Sequence, residues 1–270
     1  MKALLRTELK RGFGSWSFLT SLIIGNLLSF IYIIRHVIPM YPVQDFESAT
    51  HLNAYYQWIG MNWSAFETNL LFFLMPILAC VPFAYSYTQD LNSGFIKSIY
   101  TRTSRRNYLV SKFISTFMTG AVAYLVPLAL NFALIALLLP IVTPDIAYGT
   151  SSIGLNSMWS SLFYDHTFLY CAVYGLINFF FAGIYAVMGL AAAVFTNRVF
   201  IVLVIPFIVN LALETGFELT GQPAMVPFKF LVPGQPVYHI QFSIIALELL
   251  LLLFVSSVLF LGGIRKREVY

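Results

Sequence analysis

Charge is what this chain has least of. Of its 270 residues only 10% are Asp, Glu, Lys or Arg, against roughly 25% in ordinary soluble domains. So few charges cannot keep a surface of this size in water, which excludes an ordinary soluble globule. Cysteine is scarce too: the 2 present are Cys80 and Cys171, each inside an apolar run and neither in a CxxC or Cys/His spacing. That argues against a disulfide framework and a zinc site; small buried helix residues are the expected role. No GxxxxGK[ST] occurs, so the chain carries no P-loop nucleotide site. The histidines His36, His51, His166 and His239 lack metal-ligand spacing and read as interfacial polar residues. Gly149-Thr-Ser-Ser152 has no histidine inside a span to act as a base, which argues against an intramembrane serine hydrolase. Neither an internal repeat nor a low-complexity linker divides the sequence.

What is abundant is apolar. Hydrophobic residues make up 59% and aromatics 17%, and the mean hydropathy is +0.81. A helix needs about 20 apolar residues to cross a ~30 Å hydrocarbon core. On that measure the sequence predicts an all-α integral membrane protein, one transmembrane domain over 1–270. Its six spans fall near Trp16–Ile38, Leu70–Tyr87, Ile114–Leu139, Phe168–Phe195, Val199–Leu213 and Phe242–Ile264. The first follows a basic segment but is too long for a signal-peptide core and precedes no small-residue cleavage site, so it reads as a retained helix.

The basic residues choose the orientation. Thirteen of the 15 Lys and Arg fall on one side of a six-span layout, in Lys2–Arg11, Lys97–Lys112, Arg198 and Arg265–Arg267, and the exceptions are Arg35 and Lys229. The other side carries Asp45, Glu47, Glu67, Asp145, Asp165, Glu214 and Glu218. Basic loops stay in the cytoplasm, so both termini are expected there, in a multi-pass protein of the cell membrane. Trp and Tyr cluster at the predicted borders, for example Trp16, Tyr41, Trp58, Trp63 and Trp159, as amphipathic rings prefer.

Two segments are not simple spans. On a helical wheel Leu5, Leu9, Phe13 and Trp16 form an apolar stripe, with Arg6, Glu8, Lys10 and Arg11 on the rest and Leu4 off pattern. That predicts an amphipathic interfacial helix whose cations Arg6, Lys10 and Arg11 face lipid headgroups. In the loop Asp90–Lys112, Leu91, Phe95 and Ile99 recur at i, i+4, i+8, predicting a short helix over Asn92–Tyr100. After a break at Thr101–Ser104, a helix capped by Thr103 or Ser104 runs from Arg105 to Leu139, longer than a bilayer requires.

This loop, Asp90-Leu-Asn-Ser-Gly94-Phe-Ile-Lys97-Ser-Ile-Tyr-Thr-Arg102-Thr-Ser-Arg105-Arg106-Asn-Tyr108-Leu-Val-Ser-Lys112, resembles the segment after the second span in permeases of type-2 exporter class ABC transporters. There an acidic residue and a glycine precede a coupling helix. The N-terminal Leu-Arg-Thr-Glu-Leu-Lys-Arg stretch is similar to that family's elbow helix, and six spans with both ends inside match its layout. The resemblance covers the whole chain in layout but only these two stretches in motif. It departs at Thr101–Ser104, where the family often has proline. It implies a six-helix bundle with an elbow and a coupling helix, pairing with a second permease chain and docking two copies of an ABC ATPase. ATP and Mg would bind that partner subunit, with no cofactor on this chain and no enzyme activity of its own. The cargo would be hydrophobic or amphipathic: a peptide, an antibiotic or a lipid. Membrane lipid is a further partner; nucleic acid is not.

The coupling role would fall on Gly94, Phe95, Lys97, Ile99, Arg102, Arg105 and Arg106. Within the spans, Asn26, Asn131, Asn178 and Glu248 are polar groups placed for a substrate path. Glu248 also admits the alternative of a proton-coupled secondary transporter. A non-transporting membrane scaffold or immunity protein is a third reading. The connection Glu214–Gln241, with Pro223, Pro227, Pro233 and Pro236, is read either as short re-entrant helices or as a plain outer loop.

Overall fold

A computed structural model of the chain describes residues 2–40, 53–144 and 153–266. The predictions that involve Asp45, Glu47, His51, Asp145, Gly149–Ser152 and Arg267 lie outside these. Among the described residues every regular element is helical. Five helices are long and apolar enough to cross a bilayer: Trp16–Met40, Arg105–Leu138, Thr167–Ala192, Val199–Leu219 and Phe242–Ile264.

The first helix, α1 (Lys2–Phe13), ends at Gly14 and Ser15. The Ser15 hydroxyl accepts a bond from the Phe18 N–H at 3.1 Å, the N-cap that starts α2 (Trp16–Tyr32). The long α2 continues through a π turn over Ile33–Val37. A short α3 (Ala54–Gln57) follows.

The second predicted span, Leu70–Tyr87, is not one helix. The chain breaks into α4 (Phe66–Phe73), α5 (Met75–Cys80) and α6 (Ser86–Asn92). Proline explains both breaks. Pro76 brings no N–H to the ladder and sits in the first turn of α5, and Pro82 falls in the turn between α5 and α6. These pieces are nonetheless interior, with Leu71, Phe72, Met75, Ala79 and Cys80 all buried.

The predicted short helix begins later than the apolar spacing suggested, as α7 (Phe95–Tyr100). Gly94 at φ 70° turns the chain there, a backbone that side chains rarely adopt. Ser104 is the N-cap of α8 (Arg105–Leu138), whose 34 residues span about 50 Å. The rest comprises α9 (Ser160–Asp165), α10 (Thr167–Ala192), α11 (Val199–Leu219), α12 (Pro227–Phe230) and α13 (Phe242–Lys266). In α11 the helix runs on past the predicted end at Leu213, through Pro206.

At the centre stands α10, which packs against α8, α13, α5 and α11. Its small-residue run Gly189–Ala193 is buried throughout, as close helix contact requires. The connection after α11 folds inward: Pro227 and Phe230 through Gln235 are buried. The Asn178 amide donates to Leu231 O at 3.0 Å. Leu231 therefore reaches about 16 Å along α10 from its start at Thr167. The Tyr170 hydroxyl donates to Pro233 O at 2.6 Å, and Gln235 bonds both N and O of Met158. Irregular backbone is tolerated inside a bundle only when covered and satisfied in this way.

Candidate functional site

The predicted elbow and coupling segments meet on one group of charged side chains. Lys112 of α8 is 0% exposed, and its ammonium donates to Glu8 Oε2 at 2.7 Å and Asp90 Oδ2 at 2.5 Å. Arg11 closes the ring from the other side, donating to Glu8 Oε1 at 2.8 Å and Asp90 Oδ1 at 2.7 Å. The Tyr108 hydroxyl is a third donor to Asp90, at 2.7 Å. Two carboxylates and two cations make the cluster formally neutral, which is how buried charge is tolerated.

Helix periodicity sets the geometry. Glu8 and Arg11 are i, i+3 on α1, and Tyr108 and Lys112 are i, i+4 on α8, so each pair shares a face. Asp90 arrives from the last turns of α6. The Lys112 ammonium also lies 4.7 Å from the Phe83 ring centroid and the Arg11 guanidinium 5.0 Å from that of Phe95. Burial pushes the Asp90 carboxyl up, but Lys112 and the bonds from Arg11, Lys112 and Tyr108 outweigh it and hold it below its ordinary value.

The wheel reading of α1 needs one correction. Leu5, Leu9, Phe13 and Trp16 do form a stripe, but Phe13 and Trp16 are exposed. The face that packs on α8 is Leu4, Glu8 and Gly12, and Glu8 is buried rather than solvated. At Gly12 any Cβ would collide with Thr119 Cγ2, so only glycine lets the two helices approach this closely. The off-pattern Leu4, four residues before Glu8 and eight before Gly12, was the available sign of this second face.

The coupling residues divide. Phe95 is 40% exposed, and Lys97, Arg102, Arg105 and Arg106 are exposed with it. Ile99, at 9% exposed, packs with Ile96 into the chain's own core beside Tyr87, Tyr108 and Leu190. Leu91 belongs to α6, so the stripe Leu91, Phe95, Ile99 does not present one face. Arg105 bonds Ile264 O at 2.5 Å and so ties this end to α13. Phe95, Ser93, Ser98 and Arg11 border an open hollow of about 540 Å³. Arg6 and Lys10 are exposed.

The in-span polar residues also divide. Asn131 bonds Ile59 N and Ser29 O, Asn178 bonds Tyr174 O and Leu231 O, and Asn26 bonds Leu22 O of its own helix. These amides serve as fasteners between segments or along a helix. Asn178 Oδ1 is left without a partner. Glu248 on α13 is 9% exposed, and its Oε1 has no hydrogen-bond partner.

A second charged group, missed in the sequence, stands at the other end of the bundle. Glu67 of α4 is buried, paired with Arg35 at 2.7 Å and with His36 at 3.2 Å from the π turn. Burial raises this carboxyl, but its own backbone N–H, His36 and Arg35 together bring it below its ordinary value. No protein-family model, curated protein or solved structure matches this chain.

Proposed function

We propose that the chain is the permease subunit of a type-2 class ABC exporter, acting as a pair of such subunits over two ATPase subunits that bind ATP and Mg. In this reading the basic end faces the cytoplasm of a cell-membrane protein with both termini inside. The same reading makes the broken stretch Leu70–Tyr87 a sixth crossing beside the five long helices. The observation that carries the proposal is the buried cluster Glu8, Arg11, Asp90 and Lys112. It clamps α1 and the approach to α7 onto α8, a helix longer than a bilayer requires. A force applied to α7 is thereby delivered to the bundle rather than absorbed by a slack loop. Phe95 supplies an exposed apolar anchor, and Arg102, Arg105 and Arg106, exposed on the same connection, supply basic charge around it. Anchors of this kind dominate interface energy, and rim charges contribute less.

The test is co-purification of the chain with an ATPase subunit, followed by transport and ATPase assays. Phe95→Ala is expected to weaken docking by about 2 kcal/mol, roughly thirtyfold, with transport and stimulated ATPase activity falling together. Arg102→Gln should cost less and lose its effect at high salt. Full coupled activity in Phe95→Ala would defeat the proposal.

A further inference from the structure

Beside α10, the helices α11 and α13 stand apart and leave a cleft of about 570 Å³, within the range of small-molecule sites. Its walls are apolar, from Met188, Ala192, Ile205, Val209, Leu252 and Val255 among others, and they carry two hydroxyls, of Thr196 and Ser256. Ser256 is buried and its Oγ has no partner. Leu251, Val255 and Leu259 are exposed, so the cleft opens sideways between the helices.

Helical spacing puts a polar head on this apolar slot. On α13, Glu248 stands at i with Leu251, Leu252, Val255 and Leu259 at i+3, i+4, i+7 and i+11, so it heads the lining stripe. On α10, Tyr185 heads the matching stripe of Met188 and Ala192 in the same way. The Tyr185 hydroxyl proton is already committed to Asn210 Oδ1 at 2.6 Å. That leaves the Glu248 carboxyl without a donor, and its buried Oε1 is unpartnered. Glu248 thus brings to the head of the cleft a buried carboxyl oxygen that no side chain bonds. Leaving such a carboxylate buried and unpaired costs several kcal/mol, and a cation with N–H donors offsets that cost.

We propose that this cleft binds an amphipathic cation, its apolar body between α11 and α13 and its protonated amine on Glu248. The inference rests on the permease reading for the cleft's place on a transport path; the binding itself needs only the embedded bundle. An ammonium carries three donors, enough for both carboxylate oxygens, whereas an alcohol of the same length brings one and no charge.

The chain in zwitterionic phosphatidylcholine nanodiscs, without ATPase or ATP, is titrated with a fluorescent dodecylamine and, as the neutral control, the matching dodecanol. The wild-type chain should bind the amine at least tenfold more tightly. Glu248→Gln should remove that preference while leaving the weak alcohol binding intact. Ile201→Trp, on the more open wall, should weaken both ligands together. Size-exclusion and thermal-unfolding profiles check that each variant is folded, and Glu248→Asp, which keeps the charge, should retain the amine preference. Equal binding of amine and alcohol, or an undiminished preference in Glu248→Gln, overturns the proposal. So does exclusion of both probes with Leu251→Cys cross-linking two copies through the cleft. Amine binding without ATPase co-purification would leave this site standing and remove the exporter reading. ATPase co-purification without amine preference would do the reverse.

Discussion

Each end of the bundle holds a buried carboxylate in a salt bridge, yet the two ends are built differently. At the basic end Lys112 is 0% exposed and shares two carboxylates with Arg11, while Tyr108 adds a neutral bond. At the other end Glu67 is buried, but the Arg35 side chain that meets it is 62% exposed. A sealed pair loses heavily when one member is removed, because the survivor cannot be rehydrated. A pair with an open partner loses less, because the exposed Arg35 contributes little net and His36 still bonds the carboxylate. The contrast separates a structural clamp from an adjustable contact, and it can be broken in graded steps.

The largest effect should come from Lys112→Met. It strands Glu8 and Asp90 with Arg11 alone, and a loss of about 3–5 kcal/mol is expected, read as a drop in the thermal unfolding midpoint. Adding Asp90→Asn should recover part of it, since fewer unpaired charges remain. Next is Gly12→Val. The added branch collides with Thr119 and should lift α1 from α8 at a cost of about 1–3 kcal/mol, seen as protease sensitivity near the N-terminus with the other helices intact.

Acid should act on both ends in the same direction. Asp90 and Glu67 are both held below their ordinary values. Their stabilisation is therefore complete at neutral pH and is lost as pH falls through roughly 4 and below. Hydrogen exchange at low pH should show α1 loosening from α8, and alkaline titration should not reproduce it through these two groups. The smallest effect is expected for Arg35→Gln, within about 1 kcal/mol and weaker still in high salt. A Lys112→Met variant no less stable than Arg35→Gln would erase the distinction.

The long apolar runs were legible in the sequence because lipid solubility leaves a contiguous mark. Four predicted spans correspond to single helices within a few residues at most borders. The predicted span Ile114–Leu139 lies within the longer helix from Arg105 that the sequence also indicated. The second predicted span is broken into short helices, because Pro76 and Pro82 interrupt the hydrogen-bond ladder that hydropathy does not register. The register of the short helix failed at Gly94, because an i, i+4 stripe assumes a continuous helix and a left-handed glycine interrupts it. The buried cluster was out of reach for a different reason. A wheel places Glu8 with the solvated charges. What buries it is Lys112, which lies 104 positions away, while Arg11 meets Asp90 from 79 positions away. For Asn131 and Asn178 the residue type favours a fastener over a path residue but names no partner, and the partners are backbone groups far away in sequence.

The inward fold of 227–235 has a mechanical consequence. Asn178 and Tyr170 grip Leu231 and Pro233, so this stretch is fastened to α10 at two levels. The few residues 236–241 then lead directly into α13, the helix that carries Glu248. Any tilt of α10 is thus transmitted along a short covalent tether to the head of α13. A change in that tilt would widen or narrow the cleft between α11 and α13, with the 227–235 segment as hinge and α11, joined to it through the turn at Gly221, as the opposing blade.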